Sequence, residues 1–346
     1  MSQIPSTHRA LVINADHSGW EVKEQPIPAY DDLLVKVHAI GLNPTDWKHC
    51  HYKQIPPGSS TGSDFAGVVV AARGGTQYKV GDRVAGFTRG GFLQRDNGAF
   101  AEYIAAQTPI VWAIPDGTTF EQAAAVGGIP ADTAAQALYT RLDIPRPWDP
   151  ARATAIKAGD PILIWSGASS VSHYAIQLAK LAGLKVYTTA SPHHTHLEAL
   201  GADVVLDYNG ADVQESVGQK IRALSGGEIK VALDGFSHAE SIELVAQALS
   251  AQGGTIVSIP DDFGTKHPNV EVVSNVVYDV LEEKHAVDRA DIADWHKVLP
   301  GLLASKKVRA HSIDHQQGGL EAIPVGLLRL QEGTVSGQRI VYMISE

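Results

Sequence analysis

The chain has 346 residues, with 38 Asp and Glu against 28 Lys and Arg, and a formal net charge of −10 at pH 7. That length exceeds one ordinary core and predicts two domains, while the acidic balance argues against nucleic acid and for a small or carrier-borne substrate. The single cysteine, Cys50, rules out an internal disulfide and any multi-cysteine zinc site, and fits a reducing compartment. Met1 to Arg9 lacks an apolar signal core, and no apolar run approaches the roughly 20 residues of a membrane span. A cytoplasmic chain without membrane association is expected.

From Ala10 to about Val126, short β-rich runs are separated by turn signals: "RALVINA", "DDLLVKVHAIGLN", "FAGVVVAA", "GDRVAGF" and "AFAEYIAA". Alternation in "LLVKVHA" predicts half-buried strands in a compact, barrel-like β unit. After "GGIP" the texture changes. "ADTAAQALYTRL", Ala131 to Leu142, predicts a helix, and the proline-rich stretch 141–160 predicts a surface loop. The strands "ILIW", "VYTT", "VVLD", "VALD" and "TIVSI" then alternate with helical segments and lack polar alternation. This is the pattern of βαβ units around a parallel sheet covered on both faces. Near the end, "DIADWHKVLPGLLASKKV" predicts a helix, and "GQRIVYMI" a closing strand that returns to the first domain.

The segment "ILIW-SGASSVS-HYAIQLAKLAG" supplies a buried strand, a tight turn and a helix in the order that a dinucleotide pyrophosphate requires. Gly167 remains of the usual glycines, while Ser169, Ser170 and Ser172 stand at neighbouring positions. Serine is small, caps helices and can donate its hydroxyl to phosphate. The next strand ends in Ser191, Pro192, His193 and His194, with none of the acid that bonds the ribose hydroxyls of NAD. NADPH is therefore expected. His196, farther along, is read as a solvated residue.

Taken in order, "GLNPTDWKH" (41–49), "GSDFAGVVV" (62–70), "YKVGDRVAGF" (78–87), "GAFAEY" (98–103), "AAAVGGIPADTAAQALY" (123–139), "SGASSVSHYAIQLAK" (166–180), "ASPHH" (190–194), "LGADVVLDY" (200–208) and "VSGQRIVY" (335–342) resemble the medium-chain dehydrogenase/reductase superfamily over essentially the whole chain. Its zinc-free quinone and enoyl reductase branch is the most similar, especially fungal toxin-pathway oxidoreductases and trans-acting enoyl reductases that serve polyketide synthases. The resemblance implies an α/β protein. A GroES-like β-rich catalytic domain (1–128 with 309–346) accompanies a Rossmann doubly wound parallel sheet (129–308). It further implies that Thr45, Asp46, Trp47 and Lys48 lie beside the nicotinamide ribose, with Lys48 as the catalytic, cofactor-orienting side chain. Ala168, Ser169, Ser170 and Val171 would hold the pyrophosphate, and Ser191, Pro192, His193 and His194 the 2′-phosphate. Tyr208 would support the adenosine, Ile259 and Pro260 would contact the nicotinamide, and Ser336 and Gly337 would add a C-terminal contact. Ala131, Thr133 and Ala134 would line the substrate side with Phe263. Ser172 departs from the family's glycine and is expected to disturb helix packing or cofactor approach.

Zinc-dependent members use a Cys near "NPTD" and a His and Glu near "GSDFAG", where this chain has Asn43, Ser63 and Asp64. The cluster "KHCHYK" is read as a polar loop, because consecutive side chains diverge and a metal needs convergence. No metal is expected. Without that Lewis acid, an activated C=C bond is easier to reduce than a simple ketone. The expected activity is NADPH-dependent reduction of an enoyl group, small or carrier-bound, with a polyketide synthase as candidate partner. A stand-alone quinone or enone reductase and a non-catalytic binding protein of the same fold remain alternatives. Tyr52, Tyr103 and Tyr139 are candidate proton donors, and either a monomer or a homodimer is compatible with the sequence.

Overall fold

A computed structural model describes residues 4–208, 216–259, 261 and 263–345. The chain forms two compact units, Met1–Ile129 with Tyr278–Glu346, and Pro130–Val277.

In the first unit, β1 (Thr7–Ile13) and β2 (Trp20–Pro26) form an antiparallel hairpin. The strands β3 (Leu33–Gly41), β4 (Asp64–Ala72), β5 (Arg83–Phe87), β6 (Tyr103–Ala106) and β7 (Val111–Ala113) build an antiparallel sheet centred on β3. Although "LLVKVHAIG" alternates in places, most of β3 is buried on both faces. The helix Phe120–Val126 packs against β3, and Leu33, Val35, Val37 and Ile40 lie in the apolar core, so the half-buried expectation is corrected.

The second unit holds β8 (Pro161–Trp165), β9 (Lys185–Thr189), β10 (Val204–Leu206), β11 (Val231–Asp234), β12 (Gly254–Ser258) and β13 (Val270–Ser274), all parallel, in the order β10-β9-β8-β11-β12-β13. This is the doubly wound order whose direction reverses between β8 and β11. The central strands are almost wholly buried, as their unbroken apolar runs require. The helix opening this unit runs from Ile129 to Ala135 and continues as a π-helical stretch, Gln136–Arg141, closed by Leu142 N–H on Ala137 C=O. A single regular helix was expected here. The wider turn accompanies burial of Tyr139, whose ring meets Trp148 edge-on.

The chain then returns to the first unit. β14 (Ile313–Gln316) pairs with β15 (Arg339–Met343), and β15 lies antiparallel to β3. Residues 278–308, assigned from sequence to the nucleotide-binding domain, belong to the first unit. The helix Ala286–Ala304 packs on the turn Thr108–Ile110 and on β7, and Arg289 donates to Gln107 Oε1 at 2.8 Å. Among the described residues, no helix is long and apolar enough to cross a membrane.

Candidate active site

At the end of β8 the backbone turns sharply through Ser166, which sits in the left-handed region at φ 58°. Two bonds to the end of β9 hold this uncommon conformation. The Ser166 N–H donates to Thr189 Oγ1 at 3.0 Å, and the Gly167 N–H to Thr189 C=O at 2.8 Å. A Cβ on Gly167 would stand 2.3 Å from Thr188 Oγ1, so only glycine allows this approach.

Ser169 caps the helix Ser170–Leu181 by accepting from the Ser172 N–H at 3.1 Å. Ser172 is fully buried, and its hydroxyl donates to Trp165 C=O at 3.2 Å and lies 3.0 Å from Ser169 Oγ. These two hydroxyls bind the protein itself, which corrects the expectation that they serve phosphate. Nor does Ser172 obstruct the helix. Opposite it stands Gly235, where a Cβ would lie 2.0 Å from Ser172 Oγ, so the volume given up at Gly235 is taken by the serine. The backbone N–H groups of Ala168, Ser170 and Val171 have no partner among the described residues. They lie at the positive end of a 12-residue helix, beside the reversal of strand order. This cradle of free donors fits a dinucleotide pyrophosphate.

Beyond β9, His194 Nε2 donates to Ala190 C=O at 2.9 Å, and His193 occupies the N-cap of the helix His194–Leu200. Ser191 is partly buried and Pro192 exposed. His196 is not a solvated residue: it is partly buried and stacks on His173 at 5.7 Å between ring centroids. Tyr208 is exposed, and the Ile259 N–H donates to Ser237 Oγ at 2.8 Å. Pro260 lies outside the described residues. Ala131, Thr133 and Ala134 are buried, and the Thr133 C=O accepts from Asn275 Nδ2 at 3.2 Å. Phe263 packs against the apolar core of the second unit. Ser336 is exposed, and Gly337 adopts φ 66°.

In the first unit, Pro44 opens the helix Pro44–His51, and the Asp46 carboxylate reaches back to the Asn43 N–H at 2.8 Å. Asp46 is fully buried and also accepts from Ser63 Oγ at 2.8 Å. Its carboxyl therefore bonds groups of the protein itself. Burial raises that carboxyl to about 7, with nearby Asp64 adding to the rise and bonds from Ser63 and Asn43 opposing it. Trp47 packs partly against the core, and its buried Nε1 has no partner among the described residues. The Lys48 ammonium lies 5.9 Å from the centroid of the Trp47 ring. The "KHC" residues form a helical turn, not a loop, with His49 and Cys50 buried. Burial, with Arg89 nearby, depresses His49 to about 3 and keeps its imidazole neutral.

The positions at which zinc-dependent proteins hold metal are knitted together by hydrogen bonds. Arg339 pairs with Asp64, both buried, and donates to Asn43 Oδ1 at 3.1 Å. The other Asp64 oxygen accepts from the N–H groups of Gly128 and Ile129, each at 2.8 Å. A guanidinium supplies the positive charge, and the donor set does not fit zinc. Among the described residues, no group of three or more His, Cys, Asp or Glu side chains could hold a metal ion.

Of the sequence-named tyrosines, Tyr52 is exposed, Tyr103 meets His8, and Tyr139 is buried with its hydroxyl unpartnered among the described residues. None joins the polar cluster. Tyr278 does: its hydroxyl lies 2.9 Å from Ser63 Oγ and 3.4 Å from Thr45 Oγ1. No motif marks Tyr278 in the sequence. Arg339, a charge opening the apolar strand "RIVYM", left a clearer signal.

The alcohol dehydrogenase GroES-like domain family matches residues 29–116, and the zinc-binding dehydrogenase family matches 170–278. Trans-enoyl reductase ACTTS2 of Alternaria alternata is 36% identical, covering 98% of this chain and 99% of that protein. Trans-enoyl reductase xenG of Xenoacremonium sinensis is 32% identical over 99% and 97% of the two chains. A quinone oxidoreductase structure from Pseudomonas syringae pv. Tomato DC3000 shares the fold at TM-score 0.75 and 23% identity, covering 97% of this chain and 99% of its own.

Proposed function

The chain belongs to the medium-chain dehydrogenase/reductase superfamily and is an oxidoreductase of C=C bonds, and we propose from this premise that it uses NADPH to reduce an enoyl group carried by a polyketide synthase. The observation that carries this reading is the cradle of unpartnered N–H groups at Ala168, Ser170 and Val171, on a helix N-terminus at the reversal of the parallel sheet.

Preference for NADPH is supported by Ser191, Pro192, His193 and His194, which offer hydroxyl and imidazole groups and no carboxylate to repel a 2′-phosphate. Tyr208 would flank the adenosine. Ile259 would contact the nicotinamide, and Ser336 and Gly337 would add a C-terminal contact, with Ala131, Thr133, Ala134 and Phe263 toward the substrate. A reduced nicotinamide held by these residues would supply the hydride for the β-carbon of the enoyl group. Thr45, Trp47 and Lys48 would orient it, Trp47 through its unpartnered Nε1 and Lys48 through an ammonium whose described neighbour is an aromatic face. Arg339 occupies Asn43 and Asp64, which favours a conjugated carbonyl as acceptor, since charge from hydride addition then spreads onto its oxygen. A cytoplasmic setting accords with the single cysteine.

Fluorescence titration tests the cofactor assignment. NADPH is expected to bind at least ten-fold more tightly than NADH. Preference for NADH, or binding of neither nucleotide, would overturn it.

A further inference from the structure

Five side chains of the first unit form a continuous hydrogen-bonded chain. Asp46 Oδ1 meets Ser63 Oγ at 2.8 Å, Ser63 Oγ meets the Tyr278 hydroxyl at 2.9 Å, that hydroxyl meets Thr45 Oγ1 at 3.4 Å, and Thr45 Oγ1 meets His49 Nε2 at 2.9 Å. We propose that Tyr278 is the acid that protonates the α-carbon after hydride transfer, and that Ser63 and Asp46 restore its proton.

Three observations support the assignment, which rests on the C=C reading above. The Tyr278 hydroxyl, midway along the chain, donates to Thr45, a residue assigned there to the nicotinamide. Its ring is held in place: the Arg89 guanidinium lies 4.9 Å from its centroid and 3.7 Å from that of Phe92. The far end terminates on the Asp46 carboxyl, which burial, with Asp64 nearby, raises to about 7 against the bonds from Ser63 and Asn43 and the charge of Arg339, so that it can carry a proton near neutrality. His49 is a poor alternative store, since burial keeps it neutral.

The step balances. Hydride addition to the β-carbon breaks the C=C π bond and leaves an enolate. The α-carbon takes the Tyr278 phenolic proton, forming a C–H bond and a phenolate. Ser63 gives its hydroxyl proton to the phenolate and takes the Asp46 carboxyl proton, and solvent reprotonates Asp46 before the next turnover. Only the hydride and one solvent proton are consumed.

The test compares wild type with Tyr278→Phe and Asp46→Asn in heavy water, using a crotonyl thioester and NADPH. Tyr278→Phe keeps the ring and should lower kcat about 100-fold, the usual scale of acid catalysis. NADPH affinity should stay unchanged, and deuterium should enter both faces of the α-carbon instead of one. Asp46→Asn should lower kcat and enlarge the solvent isotope effect while leaving deuterium on one face. Wild-type rate and single-face labelling in Tyr278→Phe would overturn the assignment alone. A wild-type enzyme that binds NADPH but leaves the enoyl thioester intact would overturn it together with the C=C reading.

Discussion

Burial lifts the Asp46 carboxyl from its ordinary 3.8 to about 7, and this sets a pH dependence that can be measured without any substrate. Between those values the folded state holds a proton that the unfolded chain has released, so stability falls as pH rises through that window. The slope approaches one proton, ~1.4 kcal/mol per pH unit. Asp46→Asn should flatten the denaturation profile between about pH 4 and 7 and make the protein relatively more stable above neutrality. An unchanged profile would show that Asp46 titrates normally. At this scale the motifs name Lys48, Thr45 and the loop Ala168–Val171 as candidates. They do not show how Asp46 is held, because residue type does not say that a carboxylate turns back to cap its own helix and bond Ser63. Tyr278 was illegible for a related reason: it meets Ser63 across 215 positions of chain, and nothing local announces the contact.

The nucleotide-loop helix shows how an element absorbs a departure from its family's pattern. Ser172 stands where the family resemblance implies a glycine, yet its hydroxyl fills the space beside Gly235 and bonds the last carbonyl of β8. Ser172→Gly should therefore destabilise the chain by about 1 kcal/mol through the lost buried hydrogen bond, and should loosen NADPH binding. Gly235→Ala should destabilise it by about 1–3 kcal/mol by overpacking. Because the two positions share one space, the double variant should be more stable than the sum of the single losses implies, with a coupling of about 0.5–3 kcal/mol in urea unfolding. Strict additivity would separate the two sites. Alternation and unbroken apolar runs made the strands legible. The π-helical turn at Gln136–Arg141 was not, since it reflects tertiary burial of Tyr139 and not helix propensity.

For the whole molecule, the change from β-rich to alternating βαβ texture after "GGIP" marked the first passage between units. The second passage was harder to read. Residues 278–308 carry a helix much like those of the parallel-sheet unit, and only their contacts with β7 and Gln107 assign them to the first. That assignment bears on chemistry, because it puts Tyr278 in the unit that holds Thr45, Ser63 and Asp46. Arg339 acts at the same scale, carrying a C-terminal strand's charge into the buried cluster of Asn43 and Asp64. The proposed metal-free reduction of a conjugated acceptor rests on these two features together. The most direct measurement follows NADPH oxidation with a crotonyl thioester after dialysis against a chelator, and identifies the product by mass spectrometry. Chelator-insensitive oxidation of NADPH, matched mole for mole by saturated thioester, is expected. Failure to saturate the double bond, or activity that disappears with the chelator and returns with zinc, would contradict it.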